Sequence, residues 1–256
     1  MTKLLLAAFA AALATSCATA SPAPGAIGRL YHYVRSNQDG TLPEQIYQYR
    51  ASATRLEVGK EVERCTNAAF VTADMDLARG QGVRFIGGRL NRDATQAPFA
   101  WLSYENGALH ANVPQANVDE RMTIAGEPYV LYDFDLSDLN ARFAGRPAPE
   151  EDFRFAVALI WPVEGAERVL RDLGWANARF VEVEHRRDRG QARYVVSGGL
   201  NGELWLDPRQ GHVLEARFAE PNHTEYADFH LELLSLHDGA ADRWLEIRRA
   251  HWRDCP

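Results

Sequence analysis

Tyr226-Ala227-Asp228-Phe229-His230-Leu231-Glu232-Leu233-Leu234-Ser235-Leu236 is the stretch whose reading decides the fold. Phe229, Leu231 and Leu233 fall on one side of an extended chain, and Asp228, His230 and Glu232 on the other, because successive side chains of a strand point to opposite faces. One dry face and one wet face is the mark of a strand in an antiparallel sheet packed on one side. Working outward, residues 243–252 read as a last strand across the Asp238-Gly239 turn, with Leu245 and Ile247 opposing Trp244, Glu246 and Arg248. Toward the N-terminus the same rhythm recurs at 179–186, 193–197, 203–207 and 213–219, separated by glycine-bearing turns.

The first half repeats it. Residues 30–35 and 45–50 flank Asn37-Gln38-Asp39-Gly40, and 55–61, 68–74 and 83–90 continue the alternation. Residues 99–104 and 109–113 flank Glu105-Asn106-Gly107, where Asn-Gly accepts positive φ at low cost. Residues 129–134 and 153–161 add two more apolar strands. Two stretches suit helices: residues 138–144, with Ser137 as cap and Gly145 as stop, and residues 164–173, which bring Val169, Leu170 and Leu173 together. The reading is an all-β chain, mainly an antiparallel meander, forming a curved wide sheet or half-barrel with one or two short helices.

With 256 residues, 46% hydrophobic and 25% charged, the composition is that of a globular protein with a full core. It excludes a disordered chain, a collagen and a small disulfide knot. A formal charge of −7 argues against nucleic acid and anionic lipid as partners. Lys3, the uncharged apolar run at 4–14, Ala18-Thr19-Ala20 and the prolines at 22 and 24 read as an export signal cleaved near Ala20. The run spans about 16 Å as a helix, roughly half a bilayer core, so it is too short for a membrane anchor. The alternative is a lipoprotein signal processed before Cys17. The domain reading is therefore a signal peptide at 1–20 and a single β-rich domain at 21–256, periplasmic or secreted and not transmembrane.

Export leaves Cys65 and Cys255, an even pair that reads as a disulfide in an oxidising compartment. No second Cys or His accompanies Cys65 at ligand spacing, so neither a metal nor another cofactor is expected. His223, His230 and His237 are seven apart, a spacing that a strand throws to alternate faces. No nucleophile elbow, phosphate loop or zinc-protease helix is present. Asp133 and Asp135 form a carboxylate pair on one strand face, about 7 Å apart, the first pair to test for hydrolytic chemistry. Aromatic side chains that could line an apolar site include Tyr31, Tyr33, Trp205 and Trp244.

The passage Gly202-Glu203-Leu204-Trp205-Leu206-Asp207-Pro208, followed by Gly211-His212-Val213-Leu214, together with the export signal, the meander and the short helices, resembles the half-barrel lipoprotein carriers of the bacterial envelope. The resemblance lies at the level of fold and carries over no site residue. It implies a concave apolar face that binds an acyl chain. The expected function is therefore non-enzymatic binding of an acyl chain or other apolar small molecule. The alternatives are an envelope scaffold that binds another protein, and a carboxylate- or metal-dependent hydrolase.

Overall fold

The computed structural model describes residues 26–162 and 168–256. The expected export segment, with Cys17 and Ala20, lies outside the described residues, as does part of the expected helix at 164–173. The first eight strands are β1 (Leu30–Ser36), β2 (Glu44–Arg50), β3 (Arg55–Glu61), β4 (Ala69–Asp76), β5 (Gln81–Leu90), β6 (Gln96–Glu105), β7 (Ala108–Val113) and β8 (Val118–Thr123). After β9 (Tyr129–Leu131) comes the helix α1 (Ser137–Phe143). The chain then forms β10 (Phe153–Ile160), β11 (Leu170–Arg186), β12 (Arg189–Gly198), β13 (Gly202–Leu206), β14 (Val213–Phe218) and β15 (Phe229–His237), and ends in the helix α2 (Ala241–His251).

All fifteen strands form one sheet, in the order β8-β7-β6-β5-β4-β3-β2-β1-β15-β14-β13-β12-β11-β10-β9. The first and last strands meet in its middle, with Tyr33 opposite Leu233 and Arg35 opposite Leu231. From that seam two meanders run outward in opposite directions. Every pairing is antiparallel except β9 with β10. A sheet this wide has to curl, and register shifts at Gly87/Gly88, Val157/Ala158 and Phe180/Glu182 supply the bulges that bend strands. Asn106 and Gly107 both take positive φ in the β6–β7 hairpin, as the tight turn requires.

Curling gives the sheet two unlike faces. Tyr31 and Tyr33 in β1, Ile46 in β2, Val58 in β3 and Leu231 in β15 point into a large core on the concave side. The segment from Tyr132 through α1 lies in that concavity and contributes Phe134, Leu139 and Phe143. On the convex side a smaller core gathers Leu30, Tyr49, Phe70 and Leu90 under Trp244 of α2. Gly59 is required there: a Cβ on it would lie 2.8 Å from the Trp244 ring. The Cys65–Cys255 disulfide fastens the end of the chain to the β3–β4 connection, beside the Cys65 N–H bond to the His251 carbonyl.

Four expectations are corrected. Residues 243–252 are not a strand: Trp244, Ile247 and His251 recur at helical spacing and line the face of α2 that meets the sheet. Residues 170–173 are strand, not helix, because Leu170 and its neighbours pair with β10. The strand expected at 129–134 stops at Leu131, and Tyr132–Phe134 forms a 3-10 turn ending in left-handed Asp135 and Leu136. Helix α1 forms as expected, but Ser137 does not cap it; its hydroxyl donates to the Phe134 carbonyl instead.

Candidate functional site

The concave face is not completely filled. Helix α1 occupies one part, and a cavity of about 370 Å³ remains between the inward side chains of β1–β8 and the β9–β10 end of the sheet. Its near wall carries small residues at adjoining positions: Ala69 in β4, Gly87 in β5, Ala100 in β6 and Ala111 in β7. Gly87 pairs with Ala100 and Leu102 with Ala111, so these side chains share the inner face. The far wall is Leu131, Phe134, Ile160, Pro162 and Val169. Phe99 and Trp101, each 39% exposed, stand at the rim.

The strand pairing also explains the polar floor. Arg35 lies opposite Glu44, and Lys60 opposite Ile46, so Arg35, Glu44 and Lys60 project inward from three adjacent strands. They converge on Asp135, which is completely buried. Its carboxylate meets Arg35 at 3.1 Å and Lys60 at 2.6 Å, and accepts a hydrogen bond from Asn222 at 2.8 Å. Arg35 also pairs with Glu44, and its guanidinium lies 4.4 Å over the Tyr226 ring, whose hydroxyl accepts a hydrogen bond from it. Burial alone would raise the Asp135 pKa, but Lys60 and Arg35 outweigh it and hold this carboxyl well below the usual range. The left-handed backbone at Asp135 (φ 52°) is a conformation that non-glycine residues adopt at a cost, offset here by these bonds.

Asp133 behaves in the opposite way. It lines the cavity, its Oδ1 accepts the Ile160 N–H at 3.2 Å, and burial pushes its pKa up to about 6. His223, also in the lining, is pushed down to about 2 by burial and by Lys60 and Arg35. Its buried Nε2 has no hydrogen-bond partner. Behind this wall Asp138 is completely buried and accepts the Leu131 and Leu139 N–H groups, and burial lifts it to about 7.

Asp133 and Asp135 thus come near each other at the cavity floor, but from a turn and not from a strand face. Only Asp133 lines the cavity; Asp135 is bound up in ion pairs beneath it. The four aromatic candidates lie elsewhere. Tyr31 packs on Tyr33 and His212 in the concave core, and Tyr33 donates to the Val213 carbonyl at 2.9 Å. Trp205 faces the convex side, where its indole donates to Glu184 and Arg186 lies over its ring. Trp244 belongs to the contact of α2 with the sheet, its indole donating to Glu57 at 2.6 Å. Of the lining residues, Phe99 and Lys60 carry no site signal in the sequence, Trp101 reads there only as one of several aromatics, and His223 only as one of three histidines at a spacing of seven. The available signal was the row of small residues on the dry face of β4–β7, legible only once the register is known.

Among the described residues no group of three or more His, Cys, Asp and Glu side chains is placed to hold a metal ion, and no helix is long and apolar enough to cross a membrane. The chain matches no protein-family profile and no curated protein.

Proposed function

We propose that this protein is an exported, non-enzymatic binder of an acyl chain or similar apolar small molecule, held in the concavity of its sheet. The observation that carries this reading is the cavity itself. Its volume of about 370 Å³ lies within the ordinary range for small-molecule sites, and its walls are apolar with polar groups confined to one end. Export, by cleavage near Ala20 or as a lipoprotein through Cys17, is supported by the disulfide, which suits an oxidising compartment. The affinity of the isolated protein for decanoyl-chain amphiphiles, measured by calorimetry, tests the binding. Ala111→Phe, which fills the cavity from its near wall, is expected to weaken it at least tenfold with an unchanged far-UV spectrum. Undiminished binding would place the ligand elsewhere.

A hydrolytic reading finds one supporting observation, the raised pKa of Asp133 in a cavity wall. Asp135 is a poor partner for it because its carboxylate is already neutralised by Lys60 and Arg35. Turnover of an acyl ester that disappears in Asp133→Asn, with chain binding retained, would favour that reading over simple carriage.

A further inference from the structure

We infer that the ligand in this cavity is an aliphatic chain whose polar end is a protonated amine, received by the Asp133 carboxylate. The inference rests on the cavity being a ligand site and concerns only which polar end it accepts. Asp133 stands in the lining beside Leu131, Phe134 and Ile160, where the apolar wall meets the polar floor. Its Oδ1 accepts the Ile160 N–H at 3.2 Å, whereas Oδ2 has no hydrogen-bond partner among the described residues and keeps some accessible surface. The other charges of the floor are already engaged. Arg35 pairs with Asp135 and Glu44, and Lys60 pairs with Asp135 at 2.6 Å. Lys60 meets Asp133 only through the backbone, its Nζ donating to the Asp133 carbonyl. Two cations and two carboxylates thus neutralise one another, and the Asp133 carboxylate has no ion-pair partner among the described residues.

A carboxylate in an apolar wall gains most from a group that brings both a positive charge and an N–H donor, because water competes weakly there. A hydroxyl supplies the donor alone. A ligand carboxylate supplies neither, and would share the cavity with Asp133 and Glu225. Burial raises Asp133 to about 6, which still leaves it ionised at pH 7.5. The unpartnered Arg35 Nε offers an anion no contact, since it is fully buried. Lys60 is the group that could serve one instead: Asp135 holds two cations and would keep Arg35 if Lys60 turned to the ligand. That arrangement is the rival the measurement has to exclude. His223, also in the lining, is kept uncharged at neutral pH by burial and by Lys60 and Arg35, so it adds charge of neither sign.

Three probes with the same chain separate the cases: decylammonium, decan-1-ol and decanoate, each titrated into the full mature protein at pH 7.5 below its micellar or solubility limit. Decylammonium is expected to bind at least fivefold more tightly than decan-1-ol and at least tenfold more tightly than decanoate. Asp133→Asn is expected to remove the advantage over the alcohol by weakening the amine. Decan-1-ol or decanoate binding as tightly as decylammonium overturns the inference, decanoate in the lead meaning that Lys60 receives the ligand. An advantage over the alcohol that survives in a folded Asp133→Asn protein overturns it as well. If that variant does not fold, the wild-type series still decides. Binding of all three without discrimination leaves the apolar-ligand reading standing and removes only this one, whereas binding of none removes both.

Discussion

Asp133 and Asp135 are two residues apart and ionise in opposite directions, because one faces a cavity and the other two cations. Their spacing is plain in the sequence; the environment that gives each its character comes from Arg35 and Lys60, about a hundred and about seventy residues away in the chain. The buried ionisable groups also have a consequence for stability. Burial raises Asp133 and Asp138, to about 6 and about 7, so the folded state keeps protons that the unfolded chain releases above its ordinary carboxyl pKa. Stability falls as pH rises through that interval, by up to about 1.4 kcal/mol per group per pH unit. Burial lowers His212 and His223, so below about 6.5 the unfolded chain takes up protons that the folded state refuses, and stability rises with pH. The two trends oppose each other between about pH 4.5 and 6.5. Urea unfolding of the wild-type protein is therefore expected to give a nearly level profile there. Asp138→Asn removes one descending contribution and is expected to make stability climb with pH. A variant profile parallel to the wild type would show that Asp138 does not titrate in that window.

Among the elements, the strands were legible and α2 was not. Alternation in β15 is clean because Phe229, Leu231 and Leu233 face a core while His230 and Glu232 face the charged convex surface. Residues 243–252 also carry alternating hydrophobicity, but their burial follows the helical period through Trp244, Ile247 and His251. Asp242 in the first turn and Arg248, Arg249 and His251 in the last agree with the helix dipole, a signal that could have decided the matter. The sequence does not reveal that a convex patch between β1 and β5 needs a cover, and the covered patch is what selects the helix. Gly59 and Trp244 offer a direct check. Gly59→Ala would drive its Cβ against the indole and is expected to cost about 1–3 kcal/mol. Trp244→Ala is expected to cost about 3–5 kcal/mol through the lost packing against Tyr49 and Phe70. In the double variant the Gly59→Ala cost should vanish, because the clashing ring is gone. Additive losses in denaturant unfolding would mean that Gly59 is required for another reason.

At the scale of the whole molecule, the wide curved sheet follows from strand alternation, but the cavity does not. It depends on β1 pairing with β15 across nearly the full chain and on small side chains from four successive strands falling in register, and neither has a local signature. The cavity also depends on how the β8 edge of the open sheet approaches β11. Edge strand β8 turns Glu120 inward to the start of β11, where one carboxylate oxygen accepts the Val169 N–H at 2.8 Å and the Leu170 N–H at 3.1 Å. Val118 of β8 and Val169 both line the cavity, so this contact forms part of its wall. An edge strand normally leaves its backbone groups open to any partner; here a side chain ties the β8 edge to the start of β11 without a backbone ladder. Such a tie can open at the cost of two hydrogen bonds, far less than parting a paired strand. Glu120→Ala is expected to speed amide exchange at Val169 and Leu170 at least tenfold and to raise the dissociation rate of a bound decanoyl amphiphile severalfold, with the global unfolding midpoint little changed. If exchange quickens but dissociation does not, the ligand enters elsewhere. If neither changes, β8 and the start of β11 are held by packing and the carboxylate is incidental.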